Sequence, residues 1–261
     1  MNIKPTPAEI AEIESRRGVV DLEEVGGAGR PIDSGWMSCD VPDSWADHAT
    51  SLGLDGPVGD STLDEFVEYY RSQNRTPKIK ITPYQHPTLL SGLARRGFTL
   101  MEVESVFVHF LNALPEFDPP PGVTFRAIDP NDSGDVLRFR DLQVAGFHSD
   151  GSVPAGVLPI TERMARSTRC SFWIVECDGQ PAASGGLEFH DGSSVLISGC
   201  TLAEYRGRGL QSAFIRFRLA EAARLGMTYA LLGSLAGHTT ERNALRAGFQ
   251  PCFSQMFLQQ P

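Results

Sequence analysis

The chain of 261 residues lacks a long apolar run, a C-x-x-C pair, a Walker sequence and any excess of positive charge. Without a membrane-length apolar segment, and with Glu and Ala rather than a basic start and apolar core over residues 1–17, the sequence reads as a soluble cytoplasmic protein. The cysteines, at 39, 170, 177, 200 and 252, are odd in number and scattered, which argues against a disulfide framework or a zinc cluster, so no metal is expected. The formal charge is −9, with 10 Lys and Arg against 17 Asp and Glu in residues 1–115 and 13 against 15 beyond. A nucleic-acid partner needs a basic face that neither half supplies. A local anion site in the second half remains open.

What is present is a normal globular composition, 41% apolar, over a length sufficient for one large or two medium domains. Four prolines between positions 115 and 121 forbid helix and favour a stiff linker. The boundary is placed there, giving a domain over 1–115, a linker over 116–122 and a domain over 123–261. Beyond the linker the pattern predicts a strand at 123–126, a helix over 135–147, and strands at 171–177, 181–189 and 195–201. Asp178-Gly179 and Asp191-Gly192 supply hairpin turns between those three strands. Leu210, Ala213, Phe214, Phe217 and Ala220 recur at helical spacing up to Gly226, a glycine placed to end that helix. Tyr229 to Leu232 reads as a buried strand. Thr239 or Thr240 can cap a helix reaching Ala247, and Gly248-Phe249 opens a last strand.

Tyr205-Arg206-Gly207-Arg208-Gly209-Leu210-Gln211-Ser212, between the third of those strands and the long helix, is the most informative segment. Glycines permit a tight bend with bare N–H groups, and a helix N-terminus adds unpaired donors and a positive dipole end. Arg206 and Arg208 add charge suited to a di- or polyphosphate. A solvated turn is the plain alternative. A Rossmann site fits less well, because the third glycine is missing and no acidic residue ends a strand about twenty residues later.

The first half echoes the second. Gly97-Phe98 closes a helix as Gly248-Phe249 does, and Ser61 stands 36 residues before Gly97 while Gln211 stands 37 before Gly248. A structural duplication follows from that spacing.

On these residues the second half resembles the GNAT acetyltransferases, in which a strand leads into a turn of pattern Arg/Gln-x-x-Gly-x-Gly/Ala that holds the pyrophosphate of acetyl-coenzyme A (acetyl-CoA). Arg206 and Gly209 match the pattern, and Gln211 departs from it. Asn243-x-x-Arg246-x-Gly248-Phe249 resembles the family's helix beside the coenzyme. The resemblance covers about residues 123–258 and implies an α/β fold, a mixed sheet flanked by helices, in two tandem GNAT-like domains. It also implies that Gly199, Cys200 and Thr201 face the pantetheine and acetyl carbonyl. Arg206, Gly207, Arg208, Gly209, Leu210, Gln211 and Ser212 would hold the phosphates, with Asn243 beside them. The corresponding segment of the first half, Asp55-Gly56-Pro57-Val58-Gly59-Asp60, carries two carboxylates, no arginine and a proline without an N–H. That half reads as a degenerate copy without coenzyme binding.

The implied activity is transfer of acetyl from acetyl-CoA, as cosubstrate, to a small-molecule or peptide amine. The alternative is a non-catalytic acyl-CoA-binding or sensing module. The tyrosine that often serves the family as acid corresponds here to Ala244, and neither Tyr205 nor Tyr229 takes that place. Glu188 reads either as a base facing the cleft or as a surface carboxylate. His148, Asp150 and His238 lie in loops and read mainly as solvated. Cys200 reads as a small buried residue rather than a nucleophile. Residues 147–160 read as a mobile loop bordering the acceptor. Neither the acceptor nor the oligomeric state is legible.

Overall fold

A computed structural model describes residues 4–40, 44–112 and 117–261. The chain forms two compact units, one made of Met1–Ser105 and Cys252–Pro261, the other of Val106–Pro251. Residues 113–116, which include the sequence-based boundary, lie outside the described residues. By compactness the division falls between Ser105 and Val106.

The first unit opens with α1 (Pro7–Val25), started by a capping box in which Thr6 accepts from Glu9 N while the Glu9 carboxylate accepts from Thr6 N. There follow β1 (Ala28–Ile32), β2 (Gly35–Cys39), β3 (Ala49–Thr50), α2 (Asp60–Arg71), β4 (Lys78–Ile81), α3 (Pro87–Arg95) and β5 (Thr99–Phe110), whose last residues belong to the second unit. β1, β2 and β3 pair antiparallel in sequence, β3 runs parallel to β4, and β4 is antiparallel to the chain's last strand with Met256 opposite Ile81. Leu63, Phe66 and Tyr70 of α2 and Leu89 and Leu93 of α3 are buried with Ile79, Ile81 and Leu258 in one core. The helical spacing of the α2 positions produces that face. The two carboxylates noted in the 55–60 segment are occupied locally, Asp55 by Arg16 and Asp60 by Arg95 and Arg96.

The second unit comprises β6 (Val123–Ala127), α4 (Ser133–Phe147), α5 (Val157–Ala165), β7 (Cys170–Cys177), β8 (Gln180–His190), β9 (Ser193–Thr201), α6 (Leu210–Arg224), β10 (Tyr229–Leu235), α7 (Thr239–Arg246) and the start of β11 (Gln250–Gln259). β6 to β9 are successive antiparallel neighbours and β10 pairs parallel to β9. Both Asp-Gly turns have positive φ at both positions, 51° and 77° at Asp178-Gly179 and 45° and 72° at Asp191-Gly192. This is the backbone of the tight hairpin turns whose twist matches that of the strands.

Alternate residues of a strand face opposite sides, and β7 shows which helix covers which. Phe172 meets Phe139 of α4 at 4.6 Å between ring centroids, while Trp173 meets Phe217 of α6 at 5.4 Å. α4 and α6 therefore cover opposite faces. Phe117, from the proline-rich segment, packs on Phe125 and Phe217, so that segment is anchored to the second unit's core.

Two local readings are corrected. Residues 147–160 are not loop throughout, because α5 begins at Val157; Pro159 sits in its first turn, where the missing N–H costs no helical bond. α7 is N-capped by His238 rather than by a threonine side chain.

Candidate functional site

An open cleft of about 710 Å³ lies in the second unit. It is lined by the end of β9 (Gly199, Cys200, Thr201), the turn and first residues of α6 (Tyr205, Arg206, Gly207, Gly209, Leu210, Gln211, Ser212), the end of α4 (Gly146, Phe147) and α7 (Thr239, Thr240, Asn243, Arg246). Ten of the residues singled out for coenzyme contact thus share one surface.

The strand end is shaped by a register shift. Ser184 pairs with Cys200 and Gly186 with Ile197, so Ser198 and Gly199 together oppose Gly185. This is a β-bulge, with Ser198 at φ 54°. Gln143 of α4 donates to Ser198 O and to Ser184 Oγ, both at 2.8 Å. From the other face Arg218 of α6 donates to Gly186 O and Ile197 O, both at 3.2 Å. The carbonyls displaced from the ladder are thereby satisfied.

The turn takes its shape from Gly207 and Gly209, at φ 77° and 79°, a region that side-chain-bearing residues enter with difficulty. Gly209 N-caps α6 without a side-chain cap, so the first N–H groups of that helix are not closed off from its own chain. Gln211 does not crowd the helix start. Its Oε1 accepts from Thr201 Oγ1 at 3.4 Å, placing the amide against the strand end.

The two arginines of the turn behave differently from each other. Arg206 folds inward, donating to Thr201 O and to Gly146 O at 3.1 Å each, and so ties β9 to the end of α4 along the cleft wall. Arg208 is not in the lining; its guanidinium lies 5.1 Å from the centroid of the Tyr205 ring. Arg246, which sequence reasoning left outside the site, lines the cleft three residues after Asn243. That i, i+3 spacing puts both on one face of α7 and was a usable signal. No carboxylate among the described residues is ion-paired with Arg206 or Arg246. The cleft wall therefore carries two positive charges available to an anion.

Glu188 lies outside the cleft lining. It is buried, 2% exposed, and its Oε1 accepts from Arg169 at 2.7 Å. It is thus not a surface carboxylate. Cys200 is buried, with Sγ 3.3 Å from Ser184 Oγ, and burial pushes its thiol above the ordinary range. Ala244 is fully buried and Tyr229 is buried near Phe110. His148, Asp150 and His238 are absent from the lining. No set of three metal-ligating side chains occurs among the described residues, and no described helix is long and apolar enough to cross a membrane.

No protein-family model matches the sequence, and no curated protein matches it. Solved structures do. A GCN5-related N-acetyltransferase from Kribbella flavida is similar over 99% of this chain and 97% of its own, with a TM-score of 0.68 at 18% identity. Another, from Sphaerobacter thermophilus, covers 98% and 93% with a TM-score of 0.63 at 17% identity. A tandem GNAT protein from the clavulanic acid biosynthesis pathway, solved without acetyl-CoA, covers 98% and 97% with a TM-score of 0.59 at 13% identity. The chain has the GNAT N-acetyltransferase fold, along its whole length.

Proposed function

We propose that the protein is an acetyl-CoA-dependent N-acetyltransferase that moves acetyl directly to an amine on a small molecule or peptide. The observation that carries this reading is the convergence in one cleft of a bulged strand end, a side-chain-free helix start and two arginines, Arg206 and Arg246, that no carboxylate among the described residues neutralises. Backbone N–H groups at Gly207, Gly209 and the first turn of α6 suit the pyrophosphate, each good charge-assisted contact being worth about 1–2 kcal/mol. Gly199 to Thr201 would lie along the pantetheine and thioester, with Gln211, Ser212 and Asn243 flanking. The amine nitrogen then attacks the acetyl carbon, the C–S bond breaks with its electron pair left on sulfur, and the surplus amine proton leaves to water. In this reading Arg208 lies over the Tyr205 ring, outside the cleft lining, and Glu188 serves structure, held by Arg169.

Residues 1–115 are read as a GNAT-like unit that no longer takes coenzyme, its loop carboxylates being held by Arg16, Arg95 and Arg96. A second reading, a module that binds acyl-CoA without turnover, draws support from Ala244, which puts no acid at the usual place. We place the protein in the cytoplasm, acting on soluble substrates.

The test is a thermal shift with saturating acetyl-CoA, alone and in Gly209→Asp, followed by product formation over a panel of amines. Ligand at about 100 times its Kd should stabilise the native protein by about 2.7 kcal/mol. A Cβ at 209 meets open space but φ 79° strains any side chain there, so the aspartate acts both by placing negative charge at the anion site and by reshaping the turn that presents the N–H groups. An undiminished shift in Gly209→Asp would sink the phosphate assignment; binding without product across the panel would favour the second reading.

A further inference from the structure

A general acid is missing at Ala244, while a cation is buried close behind the strand that would carry the thioester. Arg218 is 1% exposed. Its guanidinium has only neutral partners, the carbonyls of Phe214, Gly186 and Ile197 and the face of the Phe214 ring at 4.3 Å. No carboxylate among the described residues is ion-paired with it. A full charge taken from water without a counter-ion is costly, and a buried arginine is normally paired. Here α6 carries one to the back of the β9 bulge. Gly199 lines the cleft on that bulge, and a Cβ built on it would stand 3.2 Å from Arg218 Nη2 and 3.5 Å from Nη1. A ligand atom against Gly199 is therefore separated from the guanidinium only by the thickness of one glycine backbone. In a poorly solvated site such a charge acts strongly on any anion that develops there.

We propose that Arg218 is a positioning residue that holds the β9 bulge in shape and, through the Gly199 backbone, stabilises the thiolate released from acetyl-CoA, in place of a proton from position 244. The proposal rests on the coenzyme site described above. It requires no proton to reach sulfur during the transfer, because the C–S bond breaks to leave the electron pair on a sulfur already facing positive charge. The groups around Arg218 are consistent with that assignment. Cys200 on β9 is held neutral by burial, Gln143 from α4 is uncharged, and Glu188 on β8 is engaged by Arg169. Arg206 adds a second positive charge at the cleft wall. Burial pulls Arg218 itself down to about 9, so its charge is retained at neutral pH.

The test needs no acceptor. Binding of coenzyme A and of desulfo-coenzyme A, which lacks the thiol, is measured calorimetrically between pH 6 and 8 on the full chain, below the range in which Arg218 itself loses its charge. A thiol whose pKa is lowered by one unit from about 8.5 in the complex makes coenzyme A gain roughly threefold in affinity over desulfo-coenzyme A across that interval. Wild type should show the gain, Arg218→Lys should keep most of it, and in Arg218→Met the ratio of the two affinities should stay constant with pH, whatever the variant's affinity for desulfo-coenzyme A. A constant ratio between the two ligands in wild type overturns the proposal whether or not the variants fold. A gain retained in folded Arg218→Met overturns it too, reducing Arg218 to a structural role. Failure of both ligands to bind wild type is a different result and overturns the coenzyme site itself.

Discussion

Replacing His48 with leucine should remove a large part of the acid sensitivity of the first unit. His48 is 4% exposed; its Nδ1 donates to Trp45 O at 2.9 Å, and its Nε2 is buried without a partner. A second ring proton would sit on that nitrogen with nothing to accept it. Burial, with repulsion from the Lys80 ammonium added, pulls the imidazole from its ordinary 6.5 to about 3. The unfolded chain takes up a proton at His48 below pH 6.5 whereas the folded chain does not until about pH 3. The stability is therefore intact above 6.5 and is lost as the pH falls toward 3, at about 1.4 kcal/mol per unit. Between pH 7 and pH 5 the loss from this residue is about 2 kcal/mol. Urea titrations at both pH values, followed by fluorescence of Trp36 and Trp45, measure it. His48→Leu forfeits the hydrogen bond to Trp45, about 1 kcal/mol at pH 7, but its own decline to pH 5 should be about 2 kcal/mol smaller than that of wild type. Equal declines in the two proteins would refute the reasoning.

Gly186→Ala should destabilise the second unit by about 1–3 kcal/mol, because the added methyl would collide with the Phe172 ring and stand 2.7 Å from Ser171 O; an unchanged thermal midpoint would contradict that packing. Cys200, buried and with its thiol pushed upward, should resist a disulfide reagent in native protein and react only on unfolding. Mass mapping that found Cys200 labelled before half-buried Cys177 would show its thiol to be reachable from the cleft rather than buried.

The second unit was legible in the sequence because its signals are local. Asp-Gly turns fix hairpins by backbone chirality, and the 210–224 stripe fixes its helix by period. Most of the residues expected at the coenzyme line one cleft for the same reason, lying in one contiguous turn. β1, β2 and β3 were not, since Ala28–Ile32 carries exposed residues and a proline, and β3 is two residues long. Arg206, Glu188 and Arg218 make their hydrogen bonds with residues 60, 19 and 32 positions away, so nothing in their immediate sequence revealed those contacts. Arg246 was legible from its place three residues after Asn243, on the same face of α7.

The assignment of Cys252–Pro261 to the first unit bears on how the protein is made. A ribosome delivers β4 long before its neighbour β11, with all of Val106–Pro251 translated in between. At about 5–20 residues per second that interval is on the order of ten seconds, during which one edge of β4 lacks its strand. The second unit, contiguous in sequence, can finish first, and the first closes only when the final ten residues arrive. A nascent chain halted before Cys252 should therefore expose a sheet edge of the kind that chaperones and neighbouring chains engage.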